Sequence, residues 1–330
     1  MLHRFVAEAI DRTLQDLLNC DRPFGGKLTI FTGDFKQCLP VIPGADRSAV
    51  VNATLRNSYL WNSMERYYLT SSMRHGPNET EWVNYLEELG NGRLNNALGK
   101  TELKHVNVVY KIYPDLYETP LDRAILAPTN KVIDGINNFI VDEAPGRSYL
   151  YRSIDTSIID EGAIQYPTEF LNSLESGSLP PHKLRLKIGT PIIIIRNIKQ
   201  PEMVNGTKCV VTKLHPNVIE GKNTVSGQHL LIPRITLCPS DNSNDVLFKR
   251  KQFPVKVAYA MTITRAEGKT FAATGIDLQE PCFGHGQLYT GLSRTPSPAN
   301  IHVLMNEGSD MYTPNPVYEE ALCLRNMNIL

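Results

Sequence analysis

Apolar residues recur at helical spacing from the start of the chain. Leu2, Phe5, Val6, Ala9, Ile10, Leu14, Leu17 and Leu18 predict an amphipathic helix over residues 2–18, with no capping side chain ahead of it. Residues 26–31 (Gly-Lys-Leu-Thr-Ile-Phe) read as a short buried-type strand ending at Thr32-Gly33-Asp34-Phe35-Lys36-Gln37. A helix is expected over 79–89, closed by Gly90-Asn91-Gly92. Residues 124–130 (Ala-Ile-Leu-Ala-Pro-Thr-Asn) predict a strand, a turn and the cap of a helix running to about Asp142. Between about 185 and 250 the pattern changes to β-rich runs at 187–196, 208–214, 229–237 and 246–251. Turn signals at Asn205-Gly206 and Glu220-Gly221 separate them. Helical and strand patterns alternate again from Pro254 to Leu304. The pattern predicts an α/β fold interrupted by a small all-β insertion.

Composition narrows the class. With 42% hydrophobic and 21% charged residues, the 330-residue chain is neither disordered nor collagen-like. Its longest aliphatic run, 192–195, is far short of the ~20 apolar residues that cross a bilayer. An acid at Glu8 argues against a secretory signal. Cys20, Cys38, Cys209, Cys238, Cys282 and Cys323 form no C-x-x-C pair and have no His at ligand spacing, so reduced thiols in an intracellular protein, without zinc, are expected. The formal net charge is zero, but residues 182–256 hold 13 Lys/Arg against four Asp/Glu. That +9 module suggests a polyanion partner or, equally, a solvated charged face.

Two G-K-T tripeptides, Gly99-Lys100-Thr101 and Gly268-Lys269-Thr270, invite assignment as phosphate loops. The pattern needs a further glycine five residues earlier, where Leu94 and Ile263 stand, so neither qualifies. The pairs Asp142-Glu143 and Asp160-Glu161 follow apolar residues but read as surface acids.

Three polar segments carry more. Residues 33–41 (Gly-Asp-Phe-Lys-Gln-Cys-Leu-Pro-Val) put Asp34 and Gln37 at a sheet edge of the kind that binds ligands in α/β folds. Residues 69–74 (Leu-Thr-Ser-Ser-Met-Arg) end in Arg74, and 285–294 (His-Gly-Gln-Leu-Tyr-Thr-Gly-Leu-Ser-Arg) end in Arg294. Together with 256–271 (Lys-Val-Ala-Tyr-Ala-Met-Thr-Ile-Thr-Arg-Ala-Glu-Gly-Lys-Thr-Phe), these resemble the third, fourth, sixth and fifth motifs of the Pif-one (petite integration frequency) DNA helicases. The likeness is greatest to the form found with Helitron transposons. Residues 166–174 and 179–197 resemble that family's approach to its small β-barrel insertion, and the resemblance runs in order from residue 1 to about 305.

The resemblance implies RecA-like P-loop NTPase helicase lobes that clamp ATP and Mg²⁺ and step 5′→3′ along single-stranded DNA and at forks. The family's work is DNA repair, recombination and telomere maintenance, in nucleus or mitochondrion, and the chain is expected to be a monomer off the membrane. It implies lobe one over 1–105, lobe two over 106–168 and 254–330, and the insertion over 169–253. By carry-over, Gln37 would touch the γ-phosphate or the attacking water, with Gly33 and Asp34 shaping the turn. Arg74 and Arg294 would be arginine fingers, and Gly268 and Lys269 would face the nucleotide. Thr262, Arg265, Lys249, Arg250 and Lys251 would contact DNA. The chain departs from the family's N-K-S-Q-G-Q-T at Thr264, Arg265, Ala266, Glu267 and Lys269, with Arg265 keeping a cation, and from its Val-Ala at Thr290 and Gly291. The family's Walker A and Walker B segments lie upstream of the third motif, beyond Met1. The expectation is therefore a first lobe without its front, an uncovered apolar face on helix 2–18, and neither ATP hydrolysis nor DNA unwinding by these residues alone. The rival readings are a catalytically dead module that binds single-stranded DNA and a different NTPase with the same fold core.

Overall fold

The computed structural model describes residues 2–69, 72–76, 78–104, 107–109, 122–158, 166–239, 246–306 and 311–322. The chain divides into two units. The first comprises Met1–Ile112, Leu126–Pro128 and Thr262–Leu330, and the second Tyr113–Ile125 and Thr129–Met261.

In the first unit the expected N-terminal helix spans Arg4–Leu18, and it is capped after all. The His3 imidazole accepts from the Phe5 N–H at 3.2 Å, a role outside the usual Ser/Thr/Asp/Asn signals. The helix is anchored through Asp11, which accepts from the Phe24 N–H at 2.6 Å and the Tyr59 hydroxyl at 2.7 Å. Ala7, Phe24 and Leu60 form the small core beneath it, while Phe5, Ile10 and Leu17 remain exposed.

Residues 27–34 form no strand. A strand needs a ladder partner and one buried face. This segment has no ladder partner among the described residues, and Leu28 and Ile30 stand 93% and 77% exposed. The helix Thr80–Gly90 forms where expected and buries Trp82, Tyr85, Leu86 and Leu89. Beyond it the strands Asn107–Val109, Ile301–Leu304 and Ala273–Asp277 run parallel, with Ile301–Leu304 in the middle. Strand Lys100–Glu102 pairs antiparallel with Tyr312–Pro314, so Gly99-Lys100-Thr101 leads into a strand. Gly268-Lys269-Thr270 precedes the strand Ala273–Asp277. Neither tripeptide opens the helix that a phosphate loop requires.

The second unit opens on the strand Arg123–Ala127, whose last residues Leu126 and Ala127 belong to the first unit. The Thr129 hydroxyl caps the helix Asn130–Glu143. Asp142 lies at that helix's C-terminal end, ion-paired with Arg185. The buried Lys187 ammonium donates to the Asp142 and Ala144 carbonyls, opposing the helix dipole. The Asp160-Glu161 pair lies outside the described residues.

The β-rich middle forms an antiparallel five-stranded sheet in the order His229–Pro233, Val218–Asn223, Lys208–Leu214, Pro191–Ile194 and Val255–Val257. Beside it are a two-stranded sheet, Tyr149–Arg152 with Lys183–Leu186, and a three-stranded one, Ile235–Leu237, Phe248–Gln252 and Ile154–Ser157. Alternating residues fill the core: Ile192, Ile194, Cys209, Val211, Ile219, Ile232, Phe253 and Val255.

Two expectations change here. The run 229–237 splits at Arg234 into strands of different sheets. Glu220-Gly221 is not a turn but the middle of a strand. Gly221 pairs with Val211 and Leu230, and a Cβ there would stand 3.1 Å from that of Cys209. The glycine marks close packing between strands, not a reversal.

Candidate functional site

The site in the first unit begins with the turn at Asp34–Gln37. Asp34 organises it: the Lys36 N–H donates to Oδ1 at 3.0 Å and the Gln37 N–H to the Asp34 carbonyl at 3.1 Å. The Gln37 side-chain amide donates to Asp34 Oδ2 at 3.2 Å. This turn sits against the start of the helix Gln287–Leu292. Gly286 caps that helix at φ +70°, and a Cβ on it would lie 2.3 Å from the Lys36 carbonyl oxygen. Only glycine tolerates both the dihedral and the approach. Two further bonds close the junction. The Cys38 N–H donates to Thr290 Oγ1 at 3.2 Å, and His285 Nε2 lies 2.7 Å from the Phe35 carbonyl. Because the Tyr318 N–H donates to His285 Nδ1 at 2.7 Å, the ring proton must sit on Nε2. Burial lowers the His285 pKa and favours that neutral ring.

The two predicted arginines meet at the other end of the same helix. Arg74 donates from Nη1 to the Ser293 carbonyl at 2.7 Å and from Nε to Thr270 Oγ1 at 3.2 Å. Arg294, 1% exposed, donates to the Thr290 carbonyl at 2.8 Å and to Ser293 Oγ at 2.6 Å. Its Nη1 reaches the Lys269 carbonyl at 3.4 Å. No carboxylate of the described residues lies within ion-pair distance of either guanidinium. Burial and then the charge of Arg74 lower the Arg294 pKa. Two cations held together by neutral oxygens form a site of positive potential suited to an anion.

Gly33 and Gly268 are exposed, Gly268 at φ +76° in the turn where the Lys269 N–H donates to the Ala266 carbonyl at 3.0 Å. Thr262 is buried at the end of the strand Ala260–Thr262, and Arg265 is exposed on the turn after it. A Cβ on Gly291 would meet the side chains of Ile276 at 3.4 Å and Ile263 at 3.8 Å. Asp34, Gln37, Arg74, Lys269 and Arg294 are thus gathered in one unit, and Thr70 and Ser71 of the 69–74 segment lie outside the described residues. Lys249, Arg250 and Lys251 belong to the other unit.

Arg250 is removed from the DNA-contact set. Strand alternation turns it inward, 1% exposed, and its guanidinium grips Asp155 at 2.7–3.1 Å. Lys249 and Lys251 face solvent on the opposite side of that strand, beside Thr156 and Ile154. Much of the +9 module is similarly committed. Arg185, Lys199 and Lys213 are paired with acids, Lys187 caps a helix and Arg234 lies over Tyr151 and Phe253. Lys183, Lys222, Lys249 and Lys251 are exposed, with no partner among the described residues.

Sequence reasoning missed His285, Tyr289, Thr290 and Ser293 as parts of the site, although all four lie within the quoted 285–294 segment. The partners of the first three are about 250 positions away, at 34–38, beyond any local pattern. Among the described residues no cluster of His, Cys, Asp and Glu could hold a metal ion, and no helix is long and apolar enough to cross a membrane.

The model of PIF1-like helicases matches residues 1–100, and that of the 2B domain of DNA helicase Pif1 matches residues 169–214. The ATP-dependent DNA helicase PIF1 of Emericella nidulans is 23% identical over 87% of this chain; the chain spans 43% of that relative's length. A structure of two coordinating Pif1 helicases at forked double-stranded DNA has a TM-score of 0.69, with 22% identity over 92% of this chain and 67% of that one. Bacteroides Pif1 in complex with ADP-AlF3 and single-stranded DNA gives 0.67, with 21% identity over 98% of this chain and 70% of that one. These likenesses show a RecA-like α/β fold.

Proposed function

We propose that the chain belongs to the PIF1-like helicase family, whose models match residues 1–100 and 169–214, and that it forms part of an ATP-dependent DNA helicase moving 5′→3′ along single strands. Residues 1–105 belong to the first RecA-like lobe, 106–168 and 254–330 to the second, and 169–253 to the inserted β module. The observation that carries this reading is the meeting of Arg74 and Arg294 at Ser293, the first on its carbonyl and the second on its hydroxyl, with no carboxylate of the described residues within ion-pair distance of either. Such a pair is costly unless an anion completes it, and the γ-phosphoryl group of ATP matches two guanidinium forks. Gln37, Asp34 and Gly33 shape the neighbouring turn, with Gly268 and Lys269 beside the arginines. Mg²⁺ would neutralise the phosphates. These 330 residues hold no G-x-x-x-x-G-K-[ST] pattern, the usual backbone cradle for the phosphates. Thr262, Arg265, Lys249 and Lys251 are the DNA-contact set, and the compartment is nucleus or mitochondrion. The missing phosphate-loop pattern also favours a second reading, a DNA-binding module without turnover where no such cradle is joined to it.

Equilibrium binding of a labelled single-stranded oligonucleotide, with and without a non-hydrolysable ATP analogue, tests the reading. Micromolar or tighter DNA binding that the analogue alters several-fold supports the helicase. DNA binding indifferent to the analogue supports the module, and no DNA binding at all removes both.

A further inference from the structure

Gln37 is the neutral polar side chain on the turn facing the Arg294-bearing helix, and something must fix which end of its amide points outward. The structure supplies a relay. The Tyr289 hydroxyl lies 3.1 Å from Asp34 Oδ2, the same oxygen that receives the Gln37 amide at 3.2 Å. Asp34 Oδ1 is held separately by the Lys36 N–H at 3.0 Å. A carboxylate only accepts hydrogen bonds, so Gln37 must turn its NH₂ group to Asp34 and its carbonyl Oε1 away. That Oε1 has no hydrogen-bond partner among the described residues.

Tyr289 itself has little freedom. Its ring packs on Gly90, where a Cβ would stand 2.9 Å from Tyr289 Cδ2, and it projects from the helix that ends just before Arg294. Burial and the Asp34 charge both raise the Tyr289 pKa, so the hydroxyl keeps its proton and remains a donor.

We propose that Tyr289 is a positioning residue: through Asp34 it fixes the Gln37 amide with its carbonyl oxygen outward, as the acceptor for the attacking water. This rests on the nucleotide reading above. Removing Tyr289 frees Asp34 Oδ2 to rotate about the side chain, with Oδ1 still held by the turn. Removing the Asp34 charge, as in Asp34→Asn, lets an amide nitrogen face Gln37 and reverses its orientation. Neither change removes a group from the anion site itself.

Two measurements test it. The first needs no nucleotide: solvent exchange of the Gln37 side-chain NH₂, read by NMR on the 330-residue chain. Exchange should be slowed in the wild type and several-fold faster in Tyr289→Phe, and equal rates would overturn the relay. The second is a kinetic cycle on DNA-stimulated ATP hydrolysis by the protein. Tyr289→Phe should lower kcat about tenfold, as expected for one hydrogen bond to a charged group, with KM for ATP unchanged. In a Gln37→Ala background the same substitution should change kcat less than twofold. Equal losses in both backgrounds would show that Tyr289 acts on packing, not through Gln37. The kinetic cycle is run on the chain joined to a phosphate-cradle segment; if that form hydrolyses no ATP, the nucleotide reading fails, while the exchange experiment on the 330 residues still decides the relay.

Discussion

Arg250→Ala should cost the second unit about 3–5 kcal/mol, the range for breaking a buried ion pair by deleting one partner. The structure shows why. The side chains of Arg250 and Asp155 are 1% and 0% exposed, and the guanidinium meets the carboxylate at 2.7, 3.0 and 3.1 Å. Its remaining N–H groups donate to the carbonyls of Pro180 at 3.2 Å, Leu171 at 3.1 Å and Leu174 at 3.2 Å. The side chain therefore ties the strand Phe248–Gln252 to the end of the helix Thr168–Ser173 and to the segment leading to Lys183–Leu186. Truncation leaves a buried carboxylate without its counter-charge and three carbonyls without this donor. At about 1.4 kcal/mol per factor of ten, native-state exchange of the amides in Phe248–Gln252 should accelerate about 10²- to 10³-fold or more, if opening of the unit limits exchange. The double variant Arg250→Met with Asp155→Leu should recover most of the loss, because the stranded charge is then gone. A single variant losing under about 1 kcal/mol, or a double no more stable than the single, would refute the reasoning.

Three further outcomes are expected. Lys249→Gln with Lys251→Gln should reduce the salt dependence of single-stranded DNA binding by about 1.4 in log–log slope, at roughly 0.7 per phosphate contact; an unchanged slope in a salt titration returns these lysines to a solvated face. Gly286→Ala should destabilise the first unit by about 1–3 kcal/mol or displace the 34–37 turn, because a φ of +70° and a 2.3 Å approach to the Lys36 carbonyl are both incompatible with a Cβ; thermal unfolding at wild-type temperature would contradict this. Glu220 is held down to about 2 by hydrogen bonds first from His229 and then from Lys213. Its contribution to stability is therefore complete above the ordinary carboxylate pKa and is lost as pH falls toward about 2. Urea midpoints of wild type and Glu220→Gln should differ at pH 7 and converge near pH 2, and a gap constant with pH would exclude the ion-pair account.

Periodicity in the sequence revealed what the structure builds from local patterns. The helices Arg4–Leu18, Thr80–Gly90 and Asn130–Glu143 form where the pattern predicts them, though the first leaves Phe5, Val6, Ile10 and Leu17 of its apolar face exposed, and Lys208–Leu214 falls on a predicted strand. What was hidden depends on partners distant in the chain. Residues 26–31 have strand composition, but a strand is defined by its neighbours, and Leu28 and Ile30 meet solvent instead. Glu220-Gly221 looks like a turn because glycine is ambiguous between reversal and close packing, and only the Cys209 contact decides. Arg250 sits in a Lys-Arg-Lys run that reads as basic surface, yet alternation sends its middle member inward to Asp155, 95 positions away. At the candidate site the motif residues were legible, and Tyr289 was not, because its meaning lies in a hydrogen bond spanning 255 positions.

The most direct test of the central claim is DNA-stimulated ATP turnover by this chain joined to a phosphate-cradle segment, compared between wild type, Arg74→Ala and Arg294→Ala. The account predicts losses of about 10³–10⁵ for each arginine, the range for a guanidinium that stabilises the phosphoryl-transfer transition state. Affinity for single-stranded DNA without nucleotide should stay within about threefold, since neither arginine is placed on the DNA path. Turnover within tenfold of wild type in either variant would contradict the account and leave that arginine as a structural brace of the Ser293 junction.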